Sequence, residues 1–363
     1  MGERTLRQHG LRIGHLEAGA ANAITDVEGV RVGHVTVVRD EVQPPEGRGI
    51  ARTGVTAIVP GGETSTFRRP VPAGATALNG AGELTGFLQI SEWGLIETPI
   101  YLTSTMAVGR VFDGAIAAAC AADAGVGVDD VVIPVVGECD DSWLNDARTV
   151  QVEAADAGRA VANAQAGAVA QGCIGAGTGM MAFGWKGGIG SSSRLVPEVE
   201  ATVGVLVLAN FGSARDLRID GVPVFPTVGN GLDPRRPAGS CIAVVATNAP
   251  LHTTQLERLA RRAGLGLART GSVAHHGSGE IFLAFSTVAE ERDDASARRV
   301  TRPSVPDGLL DPLFAAAVEA TEEAVLNALW AATDATGREG RIVRAIPHAP
   351  VLDLLRLHGR LGA

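Results

Sequence analysis

The sequence predicts an α/β fold in which helices cover buried sheets, a layered sandwich. Two observations carry that reading. Six short apolar runs are mostly continuous, which marks strands covered on both faces, since alternation belongs to half-exposed strands. Between them lie helical stretches with their own start and stop residues. Composition adds that the core is aliphatic, because 45% of the 363 residues are hydrophobic and only 4% aromatic.

In chain order, the strands are "TAIVP" from Thr56, "PIYLT" from Pro99, "DVVIPVVG" from Asp130, "ATVGVLVLAN" from Ala201, "SCIAVVATN" from Ser240 and "EIFLAF" from Glu280. A first helix is read over Gly109 to Gly125, alanine-rich and closed by glycine. A second begins at "TTQLERLARRAG", with Thr254 and Glu257 as a capping box and Gly264 as its stop. The third runs from Asp311 as N-cap, with Pro312 at the first helical position, to an end before Gly337. Asp220–Gly221 marks a hairpin turn. Two stretches read as loops: Val38 to Gly54, and Phe225 to Gly239 with its three prolines.

The junction at the end of that second loop raises a chemical question. "GS" occurs five times, at Ser191, Ser213, Ser240, Ser272 and Ser278, so the dipeptide alone says little. Only Ser240 follows a long loop and opens a buried strand. It is either an ordinary loop-to-strand turn or a bond built to break. If Gly239–Ser240 were cut, Ser240 would carry its hydroxyl beside its own α-amine, whose pKa of about 7.7–8.0 lets it take the hydroxyl proton. Ser278 and Glu280 sit two apart at a strand mouth, which places them on one face; they serve either as a proton-holding pair or as the polar edge of a hairpin. His275 and His276, in the polar loop before them, are read as solvated. Glu138, Asp140 and Asp141 cluster at a strand end, to bind an amine or simply to face solvent. Asn210 closes the most apolar strand, as an oxyanion donor or a turn cap.

Other classes are disfavoured. A net charge of −9 argues against nucleic acid as a partner. "GAGTGMMAFGWKGG" fails the dinucleotide spacing G-x-G-x-x-G, and Lys186, the chain's one lysine, is followed by Gly187, so the phosphate-loop pattern fails too. Its glycines are read as allowing close backbone approach. The four cysteines form no CxxC pair, so the expectation is free thiols, with no metal and no cofactor. The N-terminus has no apolar signal region, and no uninterrupted apolar run approaches 18 residues, giving a cytoplasmic expectation with no membrane partner.

Taken in order, "NAITDVEGVRVGHVTV", "TPIYLTSTMAVGRVFDGAI", "PVVGECDDSWLND", "GAGTGMMAFGWKGGIGSSSR", "GVLVLANFGSARDLRIDGVPV", "GSCIAVVATNAPL" and "GSGEIFLAFST" resemble the self-processing L-aminopeptidase/D-esterase family, with the β-peptidyl aminopeptidases as close relatives. The resemblance implies a four-layer αββα sandwich similar to N-terminal-nucleophile hydrolases but with different strand connectivity. It implies a single domain over 1–363 that cuts itself at Gly239–Ser240 into 1–239 and 240–363, with Ser240 as the nucleophile. Asn210 matches the oxyanion-hole asparagine, Ser278 and Glu280 the residues that assist the nucleophile, and Glu138 a carboxylate near the substrate ammonium. Lys186 matches a lysine that related nylon-oligomer hydrolases keep beside the nucleophile. The substrate is then a small peptide, amide or ester, and the assembly a homotetramer of processed protomers. One departure stands: some members use a tyrosine hydroxyl in the oxyanion hole, and this chain's only tyrosine is Tyr101. Alternatives are an acyltransferase of related fold, which exposes threonine after alanine rather than serine after glycine, a nylon-oligomer-type amide hydrolase, or a binding protein whose loop never opens.

Overall fold

The structure, a computed structural model, describes residues 5–62, 65–229, 239–288 and 304–361. Residues 230–238, most of the second loop read from sequence, lie outside the described residues. Nine strands of five residues or more form the two main sheets. They are β1 (Arg31–Asp40), β2 (Ile50–Val59), β3 (Val71–Gly80), β4 (Ile100–Ser104), β5 (Val135–Cys139), β6 (Gly188–Val196), β7 (Ala201–Ala209), β8 (Cys241–Thr247) and β9 (Gly279–Ser286). The four main helices are α1 (Val108–Ala122), α2 (Ala155–Ala162), α3 (Thr253–Arg269) and α4 (Leu310–Trp330).

One sheet has the order β1-β2-β4-β5, antiparallel except for the parallel β4/β5 pair. The other runs β3-β9-β8-β7-β6, with the two-residue strand Leu95–Ile96 outside β3. Within it β8 and β9 are parallel and the remaining pairs antiparallel. Side-chain alternation then builds three apolar layers. Leu206, Leu208, Ile242, Val244 and Leu283 meet Ile58, Ile100, Leu102 and Val135 between the sheets. The intervening Val205, Val207, Ala243, Val245 and Phe282 face Leu256 and Leu259 of α3 and Ala320 and Val325 of α4. On the far side, Val55, Ala57 and Val136 pack on Val111 and Ala115 of α1 and Ala157 and Ala160 of α2. This is the four-layer αββα sandwich, and it explains the continuous apolar runs: both faces of each central strand are covered.

Several element boundaries differ from the sequence reading. Val38 to Gly54 is not one loop, because β1 continues to Asp40 and β2 begins at Ile50, fully paired along their length. The strand expected from Asp130 starts only at Val135, after Pro134. Helix α1 ends with Asp123 as its C-cap, ahead of Gly125. In α3 the N-cap is His252, whose box partner is Gln255, so the Thr254/Glu257 pairing is displaced by two residues; the helix also runs past Gly264 to Arg269. In α4 the N-cap is Leu309, with Asp311 and Pro312 already inside the first turn, and the helix stops at Trp330, short of Gly337. The Asp220–Gly221 turn does form: both residues have positive φ, and Ile219 pairs with Val222. The glycine-rich "GAGTG" makes a 3-10 turn over Gly175–Gly179, and "GIGSSSRLV" becomes strand β6. At Gly190 a Cβ would come within 2.8 Å of the Ala328 backbone nitrogen, so only glycine lets α4 lie this close to the sheet.

Candidate active site

The site forms at one end of the six-stranded sheet, where three neighbouring strands present their ends together. Ala209, the last residue of β7, pairs with Cys241, the first of β8, and Cys241 pairs in turn with Glu280 of β9. Ser240 therefore stands between Asn210 on one side and Ser278–Gly279–Glu280 on the other. The Gly279 N–H donates to Ser240 Oγ (3.1 Å), and the Asn210 N–H donates to the Ser240 carbonyl oxygen (3.1 Å). Ser240 is buried, 7% exposed, at the edge of a cavity.

Asn210 is fixed at both ends of its side chain. Its Oδ1 accepts from the Met181 N–H (2.8 Å), and its Nδ2 donates to the Asp140 carbonyl oxygen (2.9 Å). The residue before the serine sits directly on this amide. A Cβ on Gly239 would lie 2.6 Å from Asn210 Nδ2 and 2.8 Å from its carbonyl carbon, so the chain passes here only as glycine.

On the opposite flank, Ser278 Oγ donates to Glu280 Oε1, so the i, i+2 pair does share a face. Burial raises the Glu280 carboxyl above the ordinary carboxylate range, and the Ser278 hydroxyl pulls against it. Asn79 pulls the same way. Its amide nitrogen, however, is hydrogen-bonded to the His275 carbonyl oxygen (2.9 Å), and Glu280 Oε2 is buried without a hydrogen-bond partner of normal geometry. His275 itself faces Asp216 (3.2 Å), away from Ser240.

The second sheet supplies the facing wall. Glu138 lies within β5, not after it, and is buried. Its Oε1 accepts from the Glu83 N–H (2.9 Å), and Thr105 Oγ1 donates to Oε2. Burial raises this carboxyl too. The three carboxylates read as one cluster diverge. Asp140 is exposed, while Asp141 is buried and accepts from Ser104 Oγ (2.8 Å) and Asn145 Nδ2 (3.0 Å). A cavity of about 670 Å³ opens between the sheets, with Ser240, Gly277, Glu138, Thr105, Arg148 and Arg338 among its lining.

Lys186 lies on a short strand paired with Met181. It is fully buried and outside the cavity lining. Its Nζ donates to the carbonyls of Gly177 (3.0 Å), Met180 (2.6 Å) and Gly187 (2.9 Å), which uses all three N–H groups. Lys186 is thus linked to Asn210 through the Met180–Met181 backbone. Tyr101 is also remote, buried on the helix-facing side of β4 with Val136 and Val111. Among the described residues no group of His, Cys, Asp and Glu has metal-binding geometry. The sequence reading missed the Gly279 amide, Thr105 and the two arginines. The first is a backbone group, and the others belong to segments that only the fold brings together.

The profile of peptidase family S58 matches residues 22–343. The chain belongs to peptidase family S58. Among similar proteins, the β-peptidyl aminopeptidase BapA of Sphingosinicella microcystinivorans is 40% identical, over 95% of this chain and 90% of that one. The L-aminopeptidase D-Ala-esterase/amidase of Ochrobactrum anthropi, described as a new variant of the N-terminal-nucleophile hydrolase fold, superposes with a TM-score of 0.93 at 38% identity, covering 99% of this chain and all of that one. The PH0078 protein of Pyrococcus horikoshii superposes at 0.92 with 42% identity, covering 98% of this chain and all of that one. This S58 member is therefore a serine hydrolase of the aminopeptidase class.

Proposed function

We propose that the chain cuts its own Gly239–Ser240 bond and that Ser240, as the new N-terminus, then hydrolyses short peptides, amino-acid amides or esters. The observation that carries this reading is the seat of Ser240. Its hydroxyl lies at a strand end, Asn210 lies against the preceding glycine, and on the neighbouring strand is a buried carboxylate oxygen of Glu280 that has, among the described residues, no hydrogen-bond partner of normal geometry. In self-processing, Ser240 Oγ attacks the Gly239 carbonyl carbon while the C–N bond breaks. The hydroxyl proton passes to the departing α-amine, leaving an ester. Water hydrolyses the ester, returning the serine hydroxyl and a Gly239 carboxylate. Glu280 Oε2 is the acceptor held ready for the new α-amino N–H, with Ser278 fixing the carboxyl's orientation.

The two pieces stay together because they are interleaved: β8 and β9, from 240–363, lie between β3 and β7, from 1–239. In turnover, Glu138 binds the substrate's ammonium across the cavity. The Ser240 amine takes the proton from Oγ as Oγ attacks the substrate carbonyl. Asn210 steadies the oxyanion, a contribution of about 3–4 kcal/mol in comparable acyl-transfer sites. The proton then passes to the leaving amine or alcohol, and water releases the acyl group. Lys186 is a positioning residue in this scheme, since it fixes the backbone that fixes Asn210.

The test is a denaturing gel with intact-mass measurement, alongside hydrolysis of amino-acid p-nitroanilides. Wild-type protein should run as 1–239 and 240–363, and Ser240→Ala should stay whole and inactive. Turnover by a fully uncut chain, or by Ser240→Ala, would sink the proposal.

A further inference from the structure

The cavity that holds Ser240 has two kinds of charge in its wall. Glu138, Glu83 and Asp140 line it together with Thr105, and Arg148 and Arg338 line it too. Among the described residues, no ion pair or hydrogen bond joins either arginine to those three acids. The arginines are held by a separate set of partners. Arg148 grips the buried Asp146 through Nε (2.9 Å) and Nη2 (2.6 Å), and among the described residues Nη1 has no hydrogen-bond partner. Arg338 sits in a turn docked on the same segment: its N–H donates to the Leu144 carbonyl oxygen (2.8 Å), and its Nη2 pairs with Glu339 (2.9 Å). Its Nε is buried and, among the described residues, has no hydrogen-bond partner. Glu339 also pairs with Arg341, whose guanidinium lies 4.3 Å from the Trp143 ring centroid.

Asp146 and Glu339 face Arg148, Arg338 and Arg341, and of these five only Arg148 and Arg338 line the cavity, opposite Glu83, Glu138 and Asp140. Nη1 of Arg148 belongs to a rigid fork suited to a carboxylate, and Arg338 places a second guanidinium-bearing residue on the same wall.

We infer that Arg148 and Arg338 form a subsite for the free C-terminal carboxylate of the leaving group, so that the preferred substrates are short zwitterionic peptides rather than their neutral amides or esters. This rests on the hydrolase reading above, with Glu138 taking the ammonium at the other end of the substrate. Both arginines are partly exposed, so water and salt moderate their pull.

The test compares L-Ala-L-Ala and β-Ala-L-Ala as free acids with the same dipeptides as C-terminal amides, at low and high salt. For processed wild-type enzyme, kcat/KM should favour the free acid by about tenfold or more at low salt, as expected for hydrogen bonds to a charged group. The ratio should shrink as salt rises, and it should fall several-fold in Arg338→Gln, mainly through KM of the acid. A wild-type ratio near one or favouring the amide, or a ratio insensitive to salt, overturns the subsite without a variant being needed. So does an unaltered ratio in processed Arg338→Gln. Equal hydrolysis of acid and amide removes the subsite and leaves the hydrolase standing, whereas failure to hydrolyse any of the four removes both.

Discussion

Gly239→Ala isolates the contact between the scissile segment and Asn210. The new Cβ would lie 2.6 Å from Asn210 Nδ2 and 2.8 Å from the Asn210 carbonyl carbon, with the carbonyl oxygen nearer still. Ordinary carbon–oxygen approach stops at about 3.3 Å. The Asn210 carbonyl oxygen would lie 1.7 Å from the new Cβ, so the chain at residue 239 must back away by about 1.6 Å (3.3 − 1.7), and the Gly239 carbonyl, which Ser240 Oγ has to reach, moves with it. Misplacing a reacting group by even about 1 Å costs on the order of 100-fold in rate. Freshly expressed Gly239→Ala should accumulate uncut chain while wild type is already processed, followed by intact mass against time. Thermal melting checks that the variant is folded. Hydrolytic activity should track the small cut fraction rather than total protein. A folded Gly239→Ala that processes on the wild-type time course would refute the steric argument and, with it, the place given to Asn210.

Two further outcomes follow from the same geometry. Lys186→Met should strip one donor from each of three buried carbonyls; those of Gly177 and Met180 keep the N–H groups of Met180 (3.3 Å) and Gly187 (3.0 Å), so the main cost, about 1–3 kcal/mol, falls on the Gly187 carbonyl. The melting temperature should then drop by several degrees and processing should slow together, because Met181 no longer holds Asn210 in place; a variant with unaltered melting and processing would remove that role. Asp141 titrates at about 6 instead of its ordinary 3.8, because burial disfavours its charge. The folded state thus binds the extra proton between about pH 4 and 6. The group's stabilising effect is full below that window and is lost as pH rises through it, by about 3 kcal/mol for a shift of about two units. Asp141→Asn should flatten the fall in melting temperature between pH 4 and 6.5, and an equal fall in both proteins would contradict the assignment.

The central strands were legible because burial on both faces writes itself as continuous apolar sequence; β7, β8 and β9 are the clearest cases. Strand β6 is buried as deeply yet spells "GIGSSSRLV", because its neighbours reach backbone and polar atoms. Ser191 Oγ accepts from the Ile24 N–H (2.8 Å), Ser193 Oγ donates to Asp26 (2.6 Å), and Arg194, fully buried, pairs with Glu319 (3.2 Å) and Glu323 (2.6 Å). A hydrophobicity pattern is blind to a core built this way. The same network hid the setting of α4, buried nearly all round although it carries Glu319, Glu322 and Glu323. Conversely, the tail of β1 alternates between exposed and half-buried residues, so its charged, threonine-bearing sequence reads as loop until β2 pairs with it. At the site, Ser240, Asn210, Ser278 and Glu280 were visible because each sits at the end of a strand that could be read. Arg148 and Arg338 were not, since nearly 200 residues separate them in sequence and only docking of the 338–340 turn on Leu144 unites them.

The complete enclosure of Lys186, the chain's sole lysine, has a practical side. The folded surface carries no side-chain primary amine for acylating dyes or crosslinkers to find. An amine-reactive tag at neutral pH would therefore mark only chain starts: one per intact polypeptide, and a second, on a serine, for each molecule that has opened at residue 240. Counting tags per molecule would read out maturation directly, and the tag on that serine would titrate the working enzyme.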